Sequence, residues 1–323
     1  MPELPRPDEL SRPEIQGHRG VRALRPENTL PGLARALAIG VDALEFDVTL
    51  TADGGLILAH DLTVNATTIR GPHAGTPWRE LTLPQVAALE AGWRTPPDPF
   101  GDTFEPAPGT AVPTLDQVCR LVLEAGADHV TLAVELKTSP SWPTADIEAI
   151  SRAALDTLAA HGLTGRARVL AFNWRVLQAA RDQAPAVPRV ALVEPSTWVP
   201  GSPWLAGLDP ADFGADESGF SAAIGCAPAA QTVAAAWLSP RDYLVSQDLI
   251  QAAHGCGLKV VSWTVNDGAR MGELIGQGID AIITDRPDVL RRVVAARGGA
   301  LPEAIRLPWR SGLPAWAPAV PVT

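Results

Sequence analysis

Two short motifs place a histidine where it could exchange protons during catalysis. His18 stands in the stretch Gly-His-Arg-Gly after a short apolar run, and His60 is followed directly by Asp61. Histidine has an ordinary pKa of about 6.5, so it can take a proton from a nucleophile or give one to a leaving group. A lone histidine at a strand end is more often an ordinary hydrogen-bonded residue, and the second motif alone equally fits a turn. Each motif therefore depends on its neighbours for a functional interpretation.

Acidic residues occur in two further apolar runs at a spacing of two. Glu45 and Asp47 lie in Leu-Glu-Phe-Asp-Val, and Glu135 and Lys137 lie in Val-Glu-Leu-Lys. Residues two apart on a strand face the same side, and two acidic groups at the end of a strand are costly unless they share a cation or are well solvated. Glu135 and Lys137 alone would also form an internal ion pair. Three carboxylates of this kind, Glu45, Asp47 and Glu135, would suit Mg²⁺ or Ca²⁺ better than zinc.

Short apolar runs alternate with helical patterns along most of the chain. The predicted strands are Glu14–His18, Ala43–Val48, Val130–Lys137, Arg168–Phe172, Arg189–Val193, Val233–Leu238, Leu258–Trp263 and Ala281–Thr284. The predicted helices are Thr29–Ile39, Leu115–Glu124, Ala145–Ala160, Arg175–Asp182, Gln247–Cys256, Gly268–Ile275 and Pro287–Ala296. This alternation indicates a parallel sheet, and eight strands indicate closure into a (β/α)8 TIM barrel. Active sites of such barrels lie at the carboxyl ends of the strands, where the polar motifs are found.

One additional apolar run, Leu56–His60, does not fit the parallel pattern. It follows Val48 after a few residues that include the turn signal Asp53-Gly54. A parallel crossover needs about a dozen residues or more, so this run is predicted to form a hairpin. If the turn centres on Asp53-Gly54, counting places His60 opposite Asp47.

Three segments lack the alternating pattern and set the predicted boundaries. Residues 65–113 and 194–231 follow strand ends, and long loops in a compact domain are usually functional. We predict an N-terminal extension of residues 1–13 and a barrel domain of residues 14–297. The domain carries a small insertion at about residues 65–113, after the His60-Asp61 strand. A Pro-rich C-terminal tail of residues 298–323 follows.

Composition and charge exclude several classes of protein. The chain has 323 residues, 46% hydrophobic, and a formal net charge of −10 without a long basic run, which argues against nucleic-acid binding. An acidic protein binds an anion only where a cation or convergent basic groups reverse the local field. The sequence shows no membrane-spanning apolar run and no signal peptide, so a cytoplasmic protein is expected. A secreted protein whose leader had been removed would look the same, and the oligomeric state is left open.

The motifs together resemble the glycerophosphodiester phosphodiesterase family. The similar stretches are His18-Arg19-Gly20, Pro26-Glu27-Asn28-Thr29, Glu45-x-Asp47, His60-Asp61, Val134-Glu135-Leu136-Lys137, Ser262-Trp263-Thr264-Val265-Asn266 and Ile283-Thr284-Asp285-Arg286-Pro287. Their order and spacing are more specific than any one motif, and they span residues 14 to 296. The family also has a small insertion after its His-Asp strand, which matches residues 65–113.

The resemblance implies a role for each matching residue. His18 and His60 correspond to the general base and the general acid, and the three carboxylates correspond to ligands of a divalent ion. Arg19 and Lys137 correspond to residues that contact the phosphate. Trp263, at a strand end, is interpreted as packing on the glycerol carbons, with a core tryptophan as the alternative.

The predicted function is hydrolysis of a small-molecule glycerophosphodiester to an alcohol and sn-glycerol 3-phosphate. An alternative is lysophospholipase D or sphingomyelinase D-like activity on lipids, which an exposed apolar patch beside the cleft would favour. A non-catalytic barrel that binds a phosphorylated ligand would have lost a histidine or a carboxylate, and all are present here. The sequence leaves open the leaving alcohol, the identity of the metal and the first nucleophile, water or the glycerol 2-hydroxyl. The role of residues 194–240 also stays open.

Overall fold

A computed structural model describes residues 12–93, 101–216, 223–308, 313–315 and 317 of the chain. The strands of this described part are β1 Glu14–Gly17, β2 Ala43–Leu50, β3 Leu56–Leu58, β4 Thr131–Leu136, β5 Ala167–Ala171, β6 Arg189–Val193, β7 Trp237–Pro240, β8 Lys259–Ser262 and β9 Ala281–Thr284. All except β3 pair in parallel, and β1 pairs with both β2 and β9. The sheet therefore closes on itself, which confirms the predicted TIM barrel.

Most helices of the described residues cover the outside of the barrel. The helices are α1 Leu30–Ile39, α2 Leu83–Ala87, α3 Leu115–Glu124, α4 Thr144–Ala160, α5 Trp174–Gln183, α6 Cys226–Thr232, α7 Gln247–Gly255, α8 Gly268–Gly276 and α9 Pro287–Ala296. The short α2 lies in the segment after the hairpin. Strand β2 shows how the layers form, because its alternate side chains Leu44, Phe46 and Val48 belong to the hydrophobic core shared with these helices. Within the described residues, each helix is too short or too polar to cross a lipid bilayer.

Strand β3 returns antiparallel to β2, so the predicted hairpin is confirmed. The predicted register is wrong by one residue, because Val48 pairs with Leu58 and the Ala59 amide donates to the Asp47 carbonyl at 3.2 Å. The turn is a three-residue loop closed by Thr51 and Gly55, with Gly54 in the left-handed region at φ 79°. The hairpin is thus centred on residue 53, and Ala59 rather than His60 lies opposite Asp47.

The segment after the hairpin has a small hydrophobic core of its own. Its buried members include Ile57 from β3, Trp78, Leu89 and Val112. The Trp78 indole nitrogen also donates to the Asp61 carbonyl at 2.8 Å. This cluster holds the backbone immediately after His60, so the segment is packed against the end of the hairpin that carries His60.

The region before β7 differs from the sequence prediction. A helix, α6, occupies Cys226–Thr232, and the predicted strand start at Val233 is wrong because Val233 is the residue that ends this helix. Ala234 adopts φ 51°, and β7 begins at Trp237. An alanine-rich sequence shows no clear strand or helix periodicity. Packing against the neighbouring elements therefore determines which element forms there.

Candidate active site

Strand alternation brings one side chain from each parallel strand to the carboxyl end of the barrel. The inward-facing core consists of Ala133, Leu170, Val190, Leu192, Trp237, Val261, Ala281 and Ile283, with Phe172 and Trp263 packed on it. The same alternation, continued toward the carboxyl ends of the strands, gives a ring of inward-facing residues. We term this ring the mouth layer: His18, Asp47, Lys137, Phe172, Glu194, Arg241, Trp263 and Asp285. Six of these eight positions are polar, and the layer below them is polar on β1, β2, β4 and β7 but apolar on the other four parallel strands. The polar residues are therefore concentrated where this fold places its chemistry.

Three buried carboxylates form one cluster at this end of the barrel. Glu45, Asp47 and Glu135 each offer an oxygen, and these oxygens lie within 4.8 Å of one another. Burial, together with the charges of Asp47 and Glu135, raises the pKa of Glu45 well above its usual range. A divalent cation would reverse that shift, and three hard oxygen donors suit such an ion. The donor set therefore fits the predicted divalent metal.

Two basic side chains approach the acidic cluster. The Lys137 Nζ lies 2.7 Å from Glu135 Oε1 and 3.7 Å from Asp47 Oδ1. The Arg19 Nε lies 3.2 Å from Asp47 Oδ2 but makes no hydrogen bond to any of the described residues, so its N–H can meet a ligand. Burial would raise the pKa of Asp47, but the charges of Arg19 and Lys137 outweigh it and hold that pKa far below its usual range. Asp47 is thus ionised, and the two cations face the same point.

The backbone around Arg19 is held in a tight turn. Arg19 has φ 48°, and its amide donates to Glu45 Oε2 at 2.8 Å. Gly20 has φ 86°, and a Cβ there would lie 2.7 Å from the carbonyl carbon of Gly32 in α1. Only glycine fits such a close approach with a positive φ. The His-Arg-Gly motif therefore encodes a backbone shape as well as two functional side chains.

Asn28 contributes to the cluster in a way that the sequence analysis missed. Its Nδ2 donates to Asp47 Oδ2 at 2.8 Å, and its Oδ1 accepts from the Asp47 amide at 3.0 Å. The cap of α1 is Thr29, whose hydroxyl accepts from the Gly32 amide. Asn28 thus orients a predicted metal ligand, while Glu27 accepts a hydrogen bond from Arg19 Nη1 at 2.8 Å.

His18 is oriented by an aspartate from the last barrel strand's end. Its Nδ1 lies 2.6 Å from Asp285 Oδ1, and the Asn266 amide donates to Asp285 Oδ2 at 2.7 Å. Burial would raise the pKa of Asp285, but the charge and hydrogen bond of His18, with Arg22 and Asn266, lower it. The ionised carboxylate accepts from Nδ1–H, which leaves Nε2 of His18 to take part in chemistry.

His60 has a matching arrangement on the hairpin and its following segment. Its Nδ1 lies 2.8 Å from Asp61 Oδ1, and Asn65 donates to Asp61 Oδ2. The hydrogen bond from His60 lowers the pKa of Asp61, against the effect of burial. His60 and Asp61 line one cavity with Glu27 and Asn28, so His60 faces the same end of the barrel despite the shifted register.

An aromatic wall lies beside these polar groups. Trp263 meets Phe172 edge to face with ring centroids 5.3 Å apart, and its indole nitrogen donates to the Ser239 carbonyl at 3.0 Å. The Lys137 Nζ lies 5.5 Å from the Phe172 centroid. Trp263 therefore stands at the mouth with one face on the core, next to the position where the two cations converge.

The structure places all eight sequence-predicted site residues at one end of the barrel. Sequence reasoning missed Asp285, Asn266, Asn28 and Phe172 as contributors. The signal for Asp285 was available, because it continues the inward positions Ala281 and Ile283 on the strand that closes against β1. Chemically, the site combines an acidic cluster that could hold a cation, two basic side chains that could meet an anion, and two histidines whose Nε2 atoms make no hydrogen bond among the described residues. This combination suits hydrolysis of a phosphate ester.

Comparison with known proteins agrees with this chemistry. The family model described as the glycerophosphoryl diester phosphodiesterase family matches residues 18–289. The chain is 27% identical over 285 residues to a glycerophosphodiester phosphodiesterase of Caldanaerobacter subterraneus, covering 88% of this chain and 98% of that protein. It is also 27% identical to a Bacillus subtilis glycerophosphodiester phosphodiesterase, over 85% of this chain and 84% of that one.

Solved structures show the same fold. A Silicibacter pomeroyi protein assigned to the glycerophosphoryl diester phosphodiesterases superposes with a TM-score of 0.78 at 28% identity, covering 90% of this chain and 96% of that one. An Oleispira antarctica phosphodiesterase, solved in complex with the product sn-glycerol-3-phosphate, gives a TM-score of 0.66 at 21% identity. That comparison covers 88% of this chain and 97% of the other.

Proposed function

This chain belongs to the glycerophosphoryl diester phosphodiesterase family, and we propose that residues 14–297 hydrolyse glycerophosphodiesters to an alcohol and sn-glycerol 3-phosphate with a divalent metal. The observation that carries the proposal is the pairing, at one barrel mouth, of a three-carboxylate cluster with two aspartate-held histidines. The relatives support it, because their names specify this class of diester.

In this proposal Glu45, Asp47 and Glu135 hold one divalent cation, Mg²⁺ or Ca²⁺. When bound, the ion supplies positive charge against the charge that develops on the phosphoryl oxygens. Arg19 and Lys137 donate hydrogen bonds to the non-bridging oxygens, and both are already held in place by carboxylates. These side chains provide the local positive field that a chain of net charge −10 otherwise lacks.

The two histidines divide the proton transfers. Asp285 binds the Nδ1–H of His18, so a neutral His18 presents an unprotonated Nε2 that removes the proton from the attacking hydroxyl or water. Asp61 lies beside the Nδ1 of His60, where an ionised carboxylate stabilises an imidazolium that donates from Nε2 to the leaving alkoxide. An alkoxide is a poor leaving group, so protonation at this point lowers the barrier.

The relatives favour this substrate class over the lipid phosphodiesterase alternative, because those described here are named for glycerophosphodiesters rather than for lysophospholipids or sphingomyelin. The large apolar side chains that are exposed within the described residues are Leu123, Ile224, Tyr243 and Leu301. These come from separate segments of the chain, and Tyr243 contacts Arg241 of the mouth layer. Their exposure gives the lipid alternative no specific support.

The proposal is tested by following the release of choline and glycerol 3-phosphate from glycerophosphocholine. We expect turnover to stop after treatment with excess chelator and to return with Mg²⁺ or Ca²⁺. Glu135→Gln should require more metal for half-maximal activity. The matched control is Glu124→Gln, which makes the same change in an exposed ion pair with Arg120 on α3.

Two outcomes would contradict different parts of the proposal. Full turnover in excess chelator would refute the metal requirement, while leaving the hydrolase assignment intact. Absence of turnover across a panel of glycerophosphodiesters, with lysophospholipids cleaved instead, would refute the substrate class. Circular dichroism of the chelated protein separates loss of metal from loss of fold.

A further inference from the structure

A groove opens at the end of the barrel opposite the mouth layer. Its volume is about 970 Å³, within the range of small-molecule sites. Glu14 begins β1, Lys259 begins β8 and Asp280 directly precedes β9, and all three line the groove. Because a strand rises about 3.3 Å per residue, His18 of the mouth layer lies about 13 Å from Glu14 along β1. The groove is therefore separate from the candidate active site.

The two carboxylates of the groove, Glu14 and Asp280, are both bound within the protein. The Glu14 oxygens accept from the Arg168 guanidinium at 2.7 and 2.8 Å. Asp280 Oδ2 accepts from the Val260 amide at 2.7 Å and lies 2.8 Å from His254 Nε2. These contacts offset the negative charge that the groove would otherwise present to a ligand.

Two cations of the groove, Lys259 and Arg297, are exposed and have no carboxylate partner among the described residues. The Lys259 Nζ lies 5.2 Å from the centre of the Trp237 ring, and the Arg297 Nη2 donates to the Gly272 carbonyl at 2.8 Å. An ammonium has three N–H donors and a guanidinium has five, so most of these donors can meet a ligand. In a chain of net charge −10, two such cations reverse the local field.

A glycine inside a helix makes room for the Arg297 guanidinium. Gly272 lies in the middle of α8, where glycine costs about 1 kcal/mol relative to alanine. A Cβ at this position would lie 2.7 Å from Arg297 Nη2, so alanine would displace the guanidinium. The sequence at this position therefore favours the placement of Arg297 over the stability of the helix.

Apolar side chains form another part of the wall. Ile275, Ile279 and Val294 line the groove beside the cations, and Ile279 and Val294 are buried. Charged donors fix the position of an anionic head, and an apolar wall favours a ligand that also has an apolar body. The groove thus combines the two features that an amphipathic anion needs.

We propose that this groove binds a small amphipathic anion, a phosphate or carboxylate head on an apolar body of a few carbons. The head accepts hydrogen bonds from Lys259 and Arg297, and the body packs on Ile275 and Val294. The site is independent of the proposed function, because no residue of the groove belongs to the mouth layer.

The test uses the full-length protein with hexyl phosphate as the probe. Lys259 is one of two lysines in the chain, and the side chain of the other, Lys137, is only 14% exposed. A limiting amount of N-hydroxysuccinimidyl acetate should therefore acetylate Lys259 first, which peptide mass spectrometry measures. We expect hexyl phosphate and hexanoate to protect Lys259 in a saturable way, and inorganic phosphate and hexyltrimethylammonium to protect it weakly. Protection at Lys259 distinguishes the groove from the cations of the mouth layer.

Two variants test the placement of the anionic head. Arg297→Gln and Gly272→Ala should each raise the half-protecting concentration of hexyl phosphate by about tenfold or more, because each removes charge-assisted hydrogen bonds. Gly272→Ala keeps every charge and adds helix propensity, so its effect does not arise from unfolding. The control Arg152→Gln changes an exposed arginine on α4 and should leave that concentration unchanged. Turnover of glycerophosphocholine should be unchanged in all three variants.

Three outcomes would overturn the inference. Absence of saturable protection, or equal protection by hexyltrimethylammonium, would show that the groove is not an anion site. Equal protection by inorganic phosphate would show that the apolar body contributes nothing. Unchanged protection in both Arg297→Gln and Gly272→Ala would show that the guanidinium serves only to bind the α8 carbonyl. Each of these results leaves the proposed hydrolase function intact.

Discussion

Each of the two histidines of the site pairs with an aspartate, but the two pairs have different surroundings. His18 and Asp285 come from the first and last barrel strands, which pair to close the sheet, and their side chains are 12% and 3% exposed. His60 and Asp61 come from the end of the hairpin, and their side chains are 36% and 42% exposed. The barrel itself therefore holds one histidine, and an added segment holds the other.

The supporting amides follow the same division. The Asn266 side chain donates to Asp285 Oδ2 and accepts from the Asp285 backbone amide at 2.9 Å, so it is held at the end of β9, one of the two strands that close the barrel. Asn65 binds Asp61 and accepts from the Thr67 amide at 2.9 Å, so it depends on the fold of the segment after the hairpin. The difference indicates that the support of His18 is coupled to the stability of the whole fold. The support of His60 can change with little effect on the barrel.

Removing each imidazole should give the largest effects and should separate the two proton transfers. His18→Ala and His60→Ala should each lower kcat for glycerophosphocholine by about 10² to 10⁴-fold. On a 4-nitrophenyl phosphodiester, whose leaving group needs no proton, His60→Ala should recover to within about tenfold of wild type, and His18→Ala should not. Steady-state kinetics on both substrates measure this contrast.

The control for these variants is another histidine–aspartate pair. His161 Nε2 lies 2.8 Å from Asp116, on the helices outside the barrel. His161→Ala should therefore leave kcat unchanged on both substrates. Equal losses for His18→Ala and His60→Ala on the nitrophenyl diester would show that the assignment of base and acid is wrong.

Changing the carboxylates should give smaller effects and should separate catalysis from stability. Asp285→Asn should lower kcat by about 10²-fold and Asp61→Asn by about tenfold, since each orients a histidine without touching substrate. Asp285→Asn should also lower the free energy of unfolding by about 1–3 kcal/mol, because it disrupts a buried hydrogen-bonded group. Asp61→Asn should lower that free energy by less than about 1 kcal/mol, because the pair is exposed. Urea unfolding measures the free energy of unfolding of both variants. Equal destabilisation would contradict the expectation that the support of His18, but not that of His60, is coupled to the stability of the barrel.

Much of the site could be predicted from the sequence because strand alternation is a local rule. Glu45 with Asp47, and Glu135 with Lys137, follow from a spacing of two within apolar runs. The barrel follows from the alternation of strands and helices. These features depend only on neighbouring residues, so they needed no knowledge of the rest of the fold.

The features that sequence reasoning missed depend on longer-range geometry. The position of His60 relative to Asp47 depends on whether the turn has two or three residues, and the Asp53-Gly54 signal fits both. Asp285 meets His18 across 267 positions of the chain, through closure of the barrel. Helix α6 lies in alanine-rich sequence, where the choice of element is made by packing.

Lowering the pH should give the smallest of the predicted effects. It should change the unfolding free energy that each of the two aspartates contributes. The pKa of Asp285 and that of Asp61 are both lowered in the folded protein, so each ionised carboxylate stabilises the fold above its unfolded pKa of about 3.9. That stabilisation is lost as the pH falls through this value toward the lower folded pKa. The difference in unfolding free energy between wild type and Asp285→Asn should therefore be present at about pH 5 and shrink as the pH falls below about 4. Asp61→Asn should show the same sign with a smaller amplitude, because solvent screens the exposed pair. Urea unfolding from about pH 3 to 5 measures the two differences, and a gap for Asp285→Asn that does not shrink below about pH 4 would contradict the lowered pKa of this carboxylate.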